Sequence, residues 1–162
     1  MWCFFPDDVR GAMKRAAFPA VVTTTSASET RRLGRKIGKM LSGGGIVGLT
    51  GDLGAGKTVI AGGIFRGAGL SPDVPVTSPT FTLVNIYPGP VEMVHIDLYR
   101  LGSASEAVEA GLTELCEEGG TGVVVIEWFE KFRELWPPGC LRVDLRIVGA
   151  RAREITVSAA GQ

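Results

Sequence analysis

Between two apolar runs, the stretch GLTGDLGAGKT (Gly48 to Thr58) sets four glycines and closes on a lysine and a threonine. Gly51, Gly56, Lys57 and Thr58 satisfy the spacing G-x-x-x-x-G-K-[ST], with the strand-like run IVGLT before the loop and a segment of helical period after it. A backbone that wraps a phosphate with its N–H groups pointing inward uses conformations denied to residues with a Cβ, which explains the glycines. The following helix offers unsatisfied N–H groups and the positive end of its dipole. Lys57 supplies a point charge for β- and γ-phosphates, and Thr58 a hydroxyl for Mg²⁺. The ligand expected from the loop is therefore a magnesium nucleoside triphosphate.

The surroundings of the loop predict a mixed sheet with helices packed on it. AVVTTT (Ala20 to Thr25) reads as a strand of β-branched residues, and Ser26 and Glu29 stand at capping-box spacing ahead of a helix whose apolar residues are Leu33, Ile37, Met40 and Leu41. The arginines and lysines between them read as its solvated face, and SGGG ends it. Ile60, Ile64 and Phe65 give the segment after Lys57 a helical period despite the weakening pair Gly62 and Gly63, with Gly69 as its stop. TLVNIY and VEMVHIDLY, joined by PGP, predict an antiparallel hairpin, and SASEAVEAGLTEL a helix or two short ones. GVVVIEW is a fully apolar run, as a central strand requires. LRVDLRIV alternates as a half-buried strand, and GARA turns it into REITVS to close a C-terminal hairpin.

At 162 residues the chain suits one domain, placed over residues 20–160, with residues 1–19 as a loosely ordered leader. Its 17 basic and 17 acidic residues give no net field to hold a polyanion, so tight direct binding of nucleic acid is not expected. Cys3, Cys116 and Cys140 lie far apart with no C-x-x-C pair and read as free thiols of a reduced compartment. No apolar run approaches the roughly 20 residues that cross a bilayer, and a cytoplasmic protein is expected.

A phosphate loop needs a carboxylate for the metal or its water shell, usually at the end of a neighbouring strand. Glu127 ends VVVIE and Asp97 ends VEMVHID, so both are candidates. VTSPTF (Val76 to Phe81) begins about twenty residues after the loop, where many nucleotide switches carry a γ-phosphate-sensing threonine, though a proline turn accounts for the segment equally well. His95, the chain's one histidine, reads first as a packing residue, as does Trp128; Tyr99 and Arg100 stay unassigned.

Taken together, GDLGAGKT, TSPTF, HIDLYRL and VVVIEW, in this order and spacing, resemble the bacterial TsaE family, the ATPase of tRNA threonylcarbamoyladenosine biosynthesis. The resemblance covers about residues 20 to 157; Val59 stands where the family often has another threonine. It implies a P-loop α/β fold with parallel core strands and antiparallel hairpins. It also implies ATP and Mg²⁺ as cofactors, TsaB and TsaD as partners, and tRNA as the substrate of the pathway rather than a strong direct ligand. In residue terms it implies that Leu53, Gly54, Ala55, Gly56, Lys57 and Thr58 wrap the phosphates and that Thr58 and Glu127 bind the metal. Asp97 then belongs to the catalytic surroundings, Thr80 is a switch residue, and adenine lies between Ala27 and Arg151. The main alternative is a P-loop small-molecule kinase, although no arginine-rich lid insertion is present. A GTPase fits less well, since the chain has neither N-K-x-D nor a D-x-x-G after the loop.

Overall fold

The computed structural model of the chain describes residues 20–41, 43–118 and 122–159. The leader expected over residues 1–19, with Cys3 in it, lies outside the described residues. In chain order the elements are β1 (Ala20–Thr24), α1 (Ala27–Met40), β2 (Gly45–Thr50), α2 (Lys57–Gly67), β3 (Val84–Tyr87), β4 (Met93–Asp97), α3 (Ala104–Glu109), α4 (Leu112–Glu118), β5 (Val123–Glu127), a 3₁₀ segment (Phe129–Leu135), β6 (Leu141–Ile147) and β7 (Arg153–Ala159).

The strands form one seven-stranded sheet in the order β1-β7-β6-β2-β5-β4-β3. Its centre is parallel, β2 pairing with both β5 and β6, and β4 pairing with β5. Antiparallel pairs close it on both sides, β3 on β4 as the expected hairpin, β7 on β6 as the expected C-terminal one, and β1 on β7. Parallel strands buried on both faces read as unbroken apolar runs, which is why β2 and β5 lack alternation. Within them Val47, Leu49, Val123 and Val125 pack towards α1 and α2, while Ile46, Val124 and Ile126 pack towards α3, α4 and the 3₁₀ segment.

Helix α1 starts as its sequence predicts, Ser26 Oγ accepting the N–H of Glu29 at 3.2 Å. The Glu29 carboxylate reaches one residue further back than in a capping box and takes the N–H of Thr25 at 2.7 Å. Helix α2 ends in a Schellman turn: Gly69 has φ +109°, Leu70 N–H bonds Phe65 O at 2.9 Å and Gly69 N–H bonds Arg66 O at 3.3 Å. SASEAVEAGLTEL resolves into two short helices, α3 and α4, separated at Gly111 with φ +72°. The 3₁₀ segment was not foreseen; it buries Phe129 and Phe132 under the sheet directly after β5.

The glycines inside α1 and α2 have a packing cause. A Cβ on Gly34 would lie 2.5 Å from Ile60 O, on Gly38 1.9 Å from Ile64 O, on Gly63 2.4 Å from Arg31 O and on Gly67 2.2 Å from Arg35 O. The two helices thus touch backbone to backbone through a pair of G-x-x-x-G stripes. Gly38→Ala gains about 1 kcal/mol of helix propensity, but the methyl group has no space and forces a backbone shift that costs more. The expected net result is a loss of about 2 kcal/mol, measured as a lower urea midpoint at unchanged slope.

Cys116 and Cys140 are both buried. Burial pushes the Cys140 thiol up to about 12, and its Sγ donates to Pro137 O at 3.0 Å, so it carries no reactive thiolate. Among the described residues no helix is long and apolar enough to cross a membrane.

Candidate functional site

Because β2, β4 and β5 run parallel, their C-terminal ends share one edge of the sheet. The register pairs Leu49 with Glu127 and Glu127 with Asp97, so the loop after β2 and the two strand-end carboxylates stand side by side. The loop itself depends on glycine: Gly51 has φ +133° with Leu145 O only 2.3 Å from where a Cβ would sit, and Gly56, the residue before α2, has φ +104°. Lys57 opens α2 and is 5% exposed. Its Nζ donates to the loop's own carbonyls, Gly51 O at 2.5 Å and Asp52 O at 2.9 Å, and lies 3.8 Å above the Trp128 ring. Burial pushes its ammonium below the usual lysine value, while Glu127, Glu130, Asp97 and Asp52 pull the other way.

Thr58 Oγ1 donates to Glu127 Oε1 at 2.9 Å, and His95 Nε2 is also 2.9 Å from that oxygen. Giving its proton to Glu127 leaves the Thr58 oxygen with lone pairs for a cation. Asp97 organises the segment that follows α2. Its Oδ2 accepts from Thr80 Oγ1 at 2.9 Å and from Ser78 Oγ, and its Oδ1 accepts the N–H of Tyr99 at 2.9 Å. Thr80 and Asp97 are thus in direct contact, whereas Asp97 and Glu127 have separate partners.

Leu53, Lys57, Thr58, Thr80, Asp97 and Glu127 line one cavity of about 360 Å³, with Trp128 and Tyr99 at its side. A second cavity of about 440 Å³ lies across the loop and is lined by Ala27, Gly54, Ala55, Gly56, Arg151 and Arg153, among others. Gly54, Gly56 and Val59 border both cavities, so the loop is their common wall. Every residue to which the resemblance assigns a role therefore borders one of these two spaces, while Gly51 of the loop motif lines neither. Among the described residues no three His, Cys, Asp or Glu side chains form a metal cage. The donors on offer are one hydroxyl and one carboxylate, the sparse set that Mg²⁺ accepts when phosphate oxygens and water complete its octahedron.

Two contributors escaped the sequence reading. Arg153, first residue of β7, bonds Ala55 O at 3.1 Å through Nε and Gly54 O at 3.2 Å through a terminal nitrogen, so the last strand clamps the loop. Ser78 sits on the Asp97 carboxylate beside Thr80, with the two hydroxyls 2.9 Å apart. Sequence spacing hid the first, because about a hundred residues separate the arginine from the loop. The second lies within TSPTF, where nothing in the spacing separates Ser78 from Thr80. Trp128 adopts φ +61°, which turns its ring back from the end of β5 beneath Lys57.

A parallel strand that runs into a glycine cradle, continues as a helix opened by lysine and threonine, and has carboxylates on the strands beside it defines a P-loop α/β protein. Residues 24–155 match the family described as Threonylcarbamoyl adenosine biosynthesis protein TsaE, and the chain belongs to that family. A Treponema pallidum (strain Nichols) protein named tRNA threonylcarbamoyladenosine biosynthesis protein TsaE is 40% identical over 133 residues, covering 82% of this chain and 96% of the relative. The Bacillus subtilis (strain 168) protein of the same name is 34% identical over 139 residues, covering 85% and 84%. The crystal structure of Bacillus subtilis YdiB aligns with a TM-score of 0.65 at 28% identity, covering 88% of this chain and 86% of that one. The family places the chain in tRNA threonylcarbamoyladenosine biosynthesis.

Proposed function

We propose that the chain is a cytoplasmic, Mg²⁺-dependent ATPase whose binding and hydrolysis of ATP drive the cycling of a complex with TsaB and TsaD. The observation that carries this reading is the convergence of Lys57, Thr58 and Glu127 on one cavity, sharing the glycine loop with the cavity of Ala27 and Arg151. In this reading Leu53 to Thr58 wrap the phosphates and Lys57 neutralises the β- and γ-phosphate charge. Thr58 and Glu127 hold Mg²⁺, which when bound polarises the γ-phosphoryl group. Asp97 holds Thr80 at the γ-phosphate side of the cavity. Adenine fits the second cavity, where the Arg151 guanidinium can stack on it and the small Ala27 leaves it space.

Phosphate release measured with and without TsaB and TsaD tests the proposal. The expected result is slow release by the chain alone and faster release with both partners present. A rate indifferent to the partners, or transfer of the γ-phosphoryl group to a small hydroxylated acceptor, overturns it in favour of a kinase.

A further inference from the structure

We infer that His95 is a positioning residue for this site: it locks the Glu127 carboxylate so that one oxygen always faces the nucleotide cavity. The inference rests on the ATPase reading above. His95 lies in the middle of β4 and is 0% exposed. Its Nε2 is 2.9 Å from Glu127 Oε1, the same oxygen that takes the Thr58 hydroxyl at 2.9 Å. Glu127 Oε2 takes no hydrogen bond from any described residue, and it is absent from the buried polar atoms that lack a partner; it is therefore the oxygen open to the cavity that Glu127 lines.

The opposite nitrogen explains why this is not ordinary packing. His95 Nδ1 is buried with no hydrogen-bond partner, and the ring is walled by Phe65 at 5.5 Å and Tyr87 at 6.3 Å. An apolar side chain would fill this space without stranding a nitrogen. The ring's compensation is its single bond to Glu127. A carboxylate only accepts, so Nε2 carries the proton and Nδ1 is a bare acceptor, the tautomer that leaves no N–H donor stranded. With two donors on Oε1, the carboxylate cannot exchange its oxygens without breaking both bonds. Thr58 ties Glu127 to the helix that opens at the loop, and His95 ties it to the sheet; together they fix the direction of Oε2.

Two measurements test this. His95 is the chain's one histidine, so long-range ¹H–¹⁵N correlation of the untagged protein reads its ring without assignment. The expected pattern has the proton on Nε2 and is lost in Glu127→Ala; a proton on Nδ1 overturns the inference. In the second, binding of a fluorescent ATP analogue is titrated with Mg²⁺ for the wild type, His95→Leu and His95→Gln. Leucine keeps bulk without a donor, whereas the glutamine amide returns an N–H near Nε2. His95→Leu should raise the half-saturating Mg²⁺ and lower kcat by about 10- to 100-fold each. Its nucleotide affinity in EDTA should be unchanged, and His95→Gln should recover most of both losses. A folded His95→Leu with wild-type Mg²⁺ dependence and kcat overturns the inference; if that variant does not fold, the ring tautomer and His95→Gln decide it. A wild-type protein that binds no nucleotide overturns the ATPase reading and this inference together. Mg²⁺-dependent binding that is indifferent to His95 overturns this inference alone.

Discussion

Lys57→Ala should raise the dissociation constant for Mg-ATP by about 100-fold while leaving the far-ultraviolet circular dichroism unchanged. The magnitude follows from the two charged hydrogen bonds assigned to Nζ, on the β- and γ-phosphates. At about 1.5 kcal/mol each they amount to roughly 3 kcal/mol, and every 1.4 kcal/mol is tenfold in affinity. The fold should survive because the ammonium's present partners are loop carbonyls, Gly51 O and Asp52 O, and neither belongs to the sheet ladder or a helix. The side chain also adds nothing to the α1–α2 contact, since it points to Trp128. Titration of a fluorescent ATP analogue checks the result. Unchanged affinity in the variant would remove the phosphate role from the loop, whatever its spacing.

Glu127→Gln separates binding from chemistry. The amide keeps an oxygen for Thr58 and His95 and nearly the same volume, but it removes the charge that the proposed function assigns to the metal. Loss of metal-assisted charge stabilisation is worth several kcal/mol, so hydrolysis should fall by about 100- to 1,000-fold, with affinity for ATP in EDTA kept within about threefold. Asp97 is the alternative carrier, and its hydrogen-bond partners differ from those of Glu127. Both of its oxygens are engaged, Oδ2 by Ser78 and Thr80 and Oδ1 by the Tyr99 N–H. Single-turnover hydrolysis distinguishes the two residues: wild-type turnover in Glu127→Gln would transfer the metal role to Asp97.

The glycine loop ahead of α2 was legible because it is local. Gly51, Gly56, Lys57 and Thr58 lie within eight residues, and their backbone demands do not depend on what packs around them. Glu127 and Asp97 were legible because an apolar run that stops at a carboxylate marks a strand end, and parallel strands bring their ends to one edge. The pairing of Glu127 with His95 was hidden: it requires β4 and β5 to be neighbours, although α3 and α4 separate them in the chain. Arg153 was hidden for the same reason, reaching the loop only because β7 folds back on β6 beside β2. Gly62 and Gly63 look like weak points by helix propensity. Propensity weighs a helix alone, and Gly63 is required by the carbonyl of Arg31 on the other helix.

The seam of glycines between α1 and α2 also sets a gauge. Helix α1 begins at Ala27, on the wall of one cavity, and α2 begins at Lys57, on the wall of the other. Where two helices meet through side chains, rotamer changes can open or narrow the gap between them. Here carbonyl oxygens rest on Cα atoms, which have no rotamers to change. The span between the two cavities is consequently fixed like the jaws of a caliper, and under the proposed function it admits a ligand of one length.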